Sequence, residues 1–303
     1  MHVRLLSLCA VLLFTSCSTI TIDEDDVLRP KPSVTPETFD GTGVTLHEKY
    51  ITVAESVAVN AWHLTQSDAE GTVLFFGGNG FYLVQSRGYL RALTRPPVNA
   101  LLWDYRGYGR SDGTPDVETL RQDAVAVYDS LVTMDEVDPA RVIVWGHSLG
   151  SFLALHVAAE REVAGIVLEN PATTAEDWVD HLVPWYIRLF VGFEVDRSLT
   201  DADNVANIRR VAVPLLVVAG AEDNVTDPEM ARTLYQSART SAKNLIVVER
   251  GGHNGLYDDP EVQTAYRDLV RQVSNAPRPG PPGLDRSGRD STETSGRPGD
   301  VDD

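Results

Sequence analysis

The stretch Arg141 to Leu155, Arg-Val-Ile-Val-Trp-Gly-His-Ser-Leu-Gly-Ser-Phe-Leu-Ala-Leu, restricts the possible folds more than any other. The apolar run Val142–Trp145 has the length and composition of a strand buried on both faces. It passes at once into Gly146-His147-Ser148-Leu149-Gly150, and then into apolar residues at helical spacing, Leu149, Phe152, Leu153 and Leu155. A strand that turns straight into a helix through a glycine-flanked serine makes a sharp elbow. Gly146 and Gly150 are required because the turn leaves little room for Cβ atoms beside a strained residue. The serine oxygen is then held clear of the sheet, at a helix start whose free N–H groups favour negative charge. Ser148 is therefore the candidate nucleophile.

The rest of the chain reads as an alternation of strands and helices around that elbow. Thr42–Tyr50 and Val57–Leu64 alternate apolar with polar residues, as an antiparallel pair at a sheet edge does. Thr72–Phe76, Asn99–Trp103, Gly165–Leu168, Pro214–Ala219 and Asn244–Val248 are short apolar runs that predict buried strands. Helices are predicted over Phe81–Leu93, Thr119–Val132, Pro228–Ala238 and Glu261–Val273. Near-continuous apolar strands between helices imply an α/β fold, with a mostly parallel central sheet covered by helices on both faces.

A serine hydroxyl needs a base to take its proton, and that base needs a carboxylate to orient it. His253 lies in Arg250-Gly-Gly-His253-Asn-Gly after the last strand, where flanking glycines let a loop bring the ring inward. Of the other histidines, His2 is N-terminal, His47 and His63 fall on early edge strands, and His156 falls on the elbow helix. His147 is expected to point away from its neighbour Ser148, and His181 lies in a segment that reads as a cap. Asp223, within Ala219-Gly-Ala-Glu-Asp223, is the candidate acid, with Glu222 and Asp227 near enough to compete. An oxyanion needs two backbone donors. Leu149 supplies one, and the Gly77-Gly78-Asn79-Gly80 loop supplies the other, at Asn79 first and Gly80 second.

From Val53 to Val273 the chain resembles the α/β-hydrolase superfamily, and within it the branch of small serine hydrolases with serine-aminopeptidase-like members. The matching residues are Leu74-Phe-Phe-Gly-Gly-Asn79-Gly, Asp104-Tyr-Arg-Gly-Tyr-Gly-Arg-Ser, Gly146-His-Ser-Leu-Gly150, Leu168-Glu-Asn-Pro, Gly220-Ala-Glu-Asp223 and Gly252-His253-Asn. The resemblance implies the α/β-hydrolase fold with a small cap, a Ser148–His253–Asp223 triad and an oxyanion loop at Asn79. It implies hydrolysis of an ester or related acyl bond through an acyl-serine, with no cofactor and no metal. An amide- or peptide-cleaving enzyme is the alternative, and a non-catalytic envelope protein on the same fold is a further one. The chain departs from the family at Gly77-Gly78, where His-Gly is usual and the imidazole braces the loop. Asp104 and Arg106 match the family and read as structural.

The ends of the chain carry other signals. Arg4 followed by the mainly apolar Leu5–Phe14 suits a secretory signal, and is too short to cross a ~30 Å hydrocarbon core. Leu13-Phe-Thr-Ser-Cys17 resembles a bacterial lipobox, which implies lipidation at Cys17 and an exported, membrane-tethered protein on the periplasmic side of any outer membrane. Cys9 and Cys17 are the only cysteines, so the body after them holds no disulfide. The expected organisation is a signal peptide over 1–16, a tether over 17–40, one domain over 41–274 and a disordered tail over 275–303. Within the domain, 173–210 is the cap, with Trp178, Trp185, Tyr186, Phe190 and Phe193 as a small aromatic lid for an acyl group. A net charge of −18 argues against nucleic acid as a partner, because phosphate repels such a surface.

Overall fold

The computed structural model describes residues 18–22, 43–183, 187 and 191–277. The proposed signal, Cys17, most of the tether, Trp185, Tyr186, Phe190, the Phe193 side chain and the tail from 278 on lie outside the described residues. One eight-stranded sheet carries the molecule. In chain order its strands are β2 (Thr45–Ala54), β3 (Val57–Thr65), β4 (Thr72–Phe76), β5 (Asn99–Trp103), β6 (Val142–His147), β7 (Gly165–Glu169), β9 (Leu215–Gly220) and β10 (Lys243–Val248). They lie side by side as β10-β9-β7-β6-β4-β5-β3-β2. β2 and β3 are antiparallel, β3 meets β5 antiparallel, and the remaining pairs are parallel.

The burial pattern follows from that order. β4, β5, β6, β7 and β9 are buried at every position, as strands covered on both faces must be. Edge strand β2 buries only Ile51 fully and exposes alternate residues. The helices around the sheet are α1 (Arg87–Leu93), α2 (Val117–Leu131), α3 (Gly150–Glu160), α4 (Ala175–Leu182), α5 (Arg197–Thr200), α6 (Asn204–Ile208), α7 (Pro228–Ser237) and α8 (Pro260–Ser274). Their starts are marked in the sequence. Asp116 accepts the Thr119 N–H in a capping box before α2, and Asp227 and Asp259 cap α7 and α8 ahead of a proline. Among the described residues no helix is long and apolar enough to cross a membrane.

The chain steps from β4 to β5 on one side and places β6 on the other. The loops leaving the carboxyl ends of β4 and β6 therefore part at a crevice, where ligands bind in open α/β sheets.

Two expectations are corrected. The helix expected over Phe81–Leu93 is a short 3-10 turn, Leu83–Gln85, and then α1. The N–H groups of Gln85 and Ser86 close back on the Tyr82 and Leu83 carbonyls at 3.0 Å each, and the Ser86 hydroxyl donates to the Leu83 carbonyl as well at 2.6 Å. The segment therefore starts as a 3-10 turn, which Asp104 holds through the Leu83 N–H at 2.8 Å. Ser18–Ile22, read as tether, is strand β1 and pairs in parallel with β8 (Val191–Val195) of the cap segment. The β-branched alternation Ser-Thr-Ile-Thr-Ile suits a strand better than a solvated spacer.

Candidate active site

The elbow folds as its glycines require. Ser148 sits between β6 and α3 at φ +51°, a left-handed backbone that a non-glycine residue holds only when its surroundings impose it. A Cβ on Gly150 would lie 2.1 Å from the Phe76 carbonyl oxygen, and one on Gly146 would lie 2.5 Å from that of Gly150. The turn therefore packs directly against the end of β4. The Ser148 N–H donates to the Glu169 carbonyl at 2.9 Å, which fixes the elbow to the tip of β7.

Three side chains meet at this edge. His253 Nε2 lies 3.0 Å from Ser148 Oγ, and His253 Nδ1 lies 2.8 Å from Asp223 Oδ2. Asp223 Oδ1 accepts the N–H groups of Val225 at 2.7 Å and Thr226 at 3.1 Å, which leaves Oδ2 to the imidazole and the Thr226 hydroxyl at 2.8 Å. Burial pushes the Asp223 carboxyl up, but the hydrogen bonds from His253, Val225 and Thr226 outweigh it and hold it below the usual range. The two competing acids are placed elsewhere. Glu222 is exposed, and Asp227 caps α7 and lies 3.7 Å from His181.

The Gly77–Gly80 loop crosses above the serine. A Cβ on Gly78 would stand 2.8 Å from His147 Nδ1 and 3.3 Å from Ser148 Cβ, so the backbone passes within contact of the nucleophile. The bracing imidazole that the sequence lacks is replaced by two tyrosines. The Tyr105 hydroxyl donates to the Gly77 carbonyl at 2.6 Å, and the Tyr108 hydroxyl donates to Asn79 Oδ1 at 3.2 Å. Among the described residues, the backbone N–H groups of Asn79 and Leu149 donate to no protein acceptor.

Other side chains at the site were not singled out by sequence reasoning. Asn170, next after β7, holds φ +46° and joins three loops. Its Nδ2 donates to the carbonyls of Gly252 at 3.1 Å and His253 at 2.9 Å, its Oδ1 accepts the Gly220 N–H at 2.8 Å, and its own carbonyl accepts the Thr226 hydroxyl at 3.1 Å. His147, expected to point away from Ser148, packs its ring 5.1 Å from that of His253, centroid to centroid. Burial lowers it to about 4, so the ring is neutral, and its Nε2–H reaches the His253 carbonyl at 2.9 Å. The only signal for Asn170 was its residue type, because asparagine tolerates left-handed backbone, whereas the following Pro171 favours an extended one.

Asp104 and Arg106 stand off the triad. Asp104 accepts the N–H groups of Leu83 at 2.8 Å and Arg110 at 3.4 Å, and burial raises it to about 6. Arg106 forms a two-point pair with the buried Asp123 at 2.8 and 2.5 Å. Among the described residues, no three His, Cys, Asp or Glu side chains gather as metal ligands do.

Glu169 lies fully buried behind the site. The Trp145 indole N–H donates to its Oε2 at 3.2 Å, and the Tyr89 hydroxyl and the N–H groups of Leu256 and Tyr257 approach the same carboxyl. Burial pushes this carboxyl from 4.5 up to about 8. A folded pKa above the unfolded one adds stability in full below the unfolded value and loses it as pH rises through the folded value. The melting temperature of the wild type is thus expected to fall between pH 5 and 8, and that of Glu169→Gln to fall less, a gap of a few kcal/mol by pH 9. Thermal melts across this range check it, and parallel curves for the two proteins would contradict it.

The fold and this arrangement together define a hydrolase of the α/β-hydrolase class. The chain belongs to the family described as serine aminopeptidase, S33, whose model matches residues 67–205 and 180–260. An uncharacterized protein of Mycobacterium tuberculosis is 30% identical over 211 residues, covering 69% of this chain and 71% of its own length. Alpha/beta hydrolase domain-containing protein 17B of Xenopus tropicalis is 29% identical over 209 residues, covering 68% and 66%. Among solved structures, the Pyrococcus furiosus esterase Pf2001 superposes with a TM-score of 0.64 at 17% identity, over 80% of this chain and 99% of that one. Acetyl xylan esterase 1 from Thermoanaerobacterium superposes with a TM-score of 0.59 at 20% identity, over 81% and 89%.

Proposed function

We propose that this hydrolase cleaves carboxylic esters through an acyl-serine intermediate. The observation that carries the reading is the unbroken line from Ser148 Oγ through His253 to Asp223, with spacings of 3.0 and 2.8 Å. In the first half-reaction Ser148 Oγ attacks the ester carbonyl carbon while His253 Nε2 takes its proton. The Asp223 carboxylate stabilises the imidazolium through Nδ1–H. The N–H groups of Asn79 and Leu149 hold the tetrahedral oxyanion. The imidazolium then protonates the departing alkoxide, which leaves as the alcohol. In the second half-reaction His253 deprotonates water, the hydroxide attacks the acyl carbon, and Ser148 leaves with the proton returned from His253. The product acid is released.

The two neighbours named esterases favour an oxygen leaving group, whereas the family's description favours an amide. The triad alone serves either. The discriminating measurement compares p-nitrophenyl acetate with aminoacyl p-nitroanilides on the purified protein. Turnover of the ester far above that of every anilide is expected, and the reverse order would replace the esterase reading with an aminopeptidase one.

A further inference from the structure

An apolar cavity of about 50 Å³ lies against the outer face of α3, walled by α2, α4 and residues 199–207. On α3 its lining residues include Leu149, Phe152 and His156, spaced three and four apart, so the cavity follows one helix face for about two turns. Leu149, the residue that directly follows the nucleophile, is thus among its lining residues. Trp178 and Val179 of α4 form the opposite wall. The Trp178 indole N–H donates to the Val225 carbonyl at 3.0 Å, which pins this wall to the loop that holds Asp223. A cavity lined by apolar groups favours an apolar ligand over water.

We infer that this cavity binds the acyl chain of the substrate, and that its size selects straight saturated acyl groups of about six carbons. The inference rests on the esterase reading and adds the substrate class to it. When Leu149 N–H holds the acyl oxygen, the chain beyond the acyl carbon leaves the elbow beside the Leu149 side chain. A water needs about 10–15 Å³ of such space, and a methylene group is close to a water in size. The cavity therefore takes three or four carbons past the two at the reacting centre. Most of the wall is apolar. The charged residues that line it are Arg121 and Asp201, and an Arg121 N–H donates to the Asp201 carbonyl at 3.5 Å, while burial lowers His156.

The test measures kcat/KM for p-nitrophenyl esters from acetate to dodecanoate. A rise of about fourfold per methylene is expected up to hexanoate, about 250-fold over the four methylenes, followed by a fall at longer chains. Ala175→Leu, which fills the cavity, should move the optimum toward acetate, and Phe152→Ala should move it to longer chains. Each variant is read as its ratio of hexanoate to acetate turnover, so a lower amount of folded protein does not alter the result. A wild-type series that is flat, or that keeps rising to dodecanoate, overturns the cavity assignment. Cleavage of acetate with labelling of Ser148 by a fluorophosphonate would then leave the esterase reading standing. Absence of cleavage across the whole series would overturn both.

Discussion

Ser148→Ala is expected to lower the rate of p-nitrophenyl acetate cleavage by about 10⁶-fold and to abolish labelling by a fluorophosphonate. The substitution removes one oxygen from a buried residue and leaves the strained elbow to be held by Gly146, Gly150 and the bond from the Ser148 backbone to Glu169. The fold is therefore kept, and the loss is chemical. A residue of catalysis over water is expected to survive, because the backbone donors at Asn79 and Leu149 still face a bound ester. Labelling that persists in the variant would place the nucleophile elsewhere. A melting curve equal to the wild type, alongside lost activity, separates lost chemistry from lost structure.

Asp223→Asn is expected to reduce turnover by about 10⁴-fold with little change in fold. The two backbone N–H groups that meet Oδ1, from Val225 and Thr226, will accept only an oxygen at that position. The amide nitrogen must therefore take the place of Oδ2 and present N–H to His253 Nδ1. Nδ1 then becomes an acceptor, the ring proton moves to Nε2, and Nε2 can no longer take the proton of Ser148. Single-turnover kinetics of p-nitrophenyl acetate measure the effect, and a loss of less than tenfold would assign the orienting role to another group.

The sheet was largely legible because its central strands are buried on both sides. Thr72–Phe76 and Asn99–Trp103 have no polar face to confuse their ends, and both matched to the residue. Phe81–Leu93 was misread for the opposite reason. Its spacing suits a helix, and what interrupts it is the closure of Gln85 and Ser86 onto the Tyr82 and Leu83 carbonyls, in a turn anchored by Asp104 twenty-one residues on, which local pattern cannot show. In the site, the sequence named Asp223 but left Glu222 and Asp227 beside it, since three acids within six residues have the same chemistry until a turn aims them. The loop turned by Val225 and Thr226 makes that choice. Asn170 and Glu169 stood in a recognised motif yet carried no role. Their partners, Gly220, Thr226, His253 and Trp145, come together only once the sheet is assembled.

The tip of β7 has a mechanical consequence. Glu169 holds the nucleophile through its carbonyl, and the next residue, Asn170, holds the base through the His253 carbonyl and the acid's loop through Thr226. Two consecutive residues are thus the common mount for parts drawn from three distant loops. Relative spacing between proton donor and acceptor is set largely there, with one tie from the cap, the Trp178 indole on the Val225 carbonyl. Diversification of the cap or of its insertion length can change which molecules enter while the reacting atoms keep their alignment.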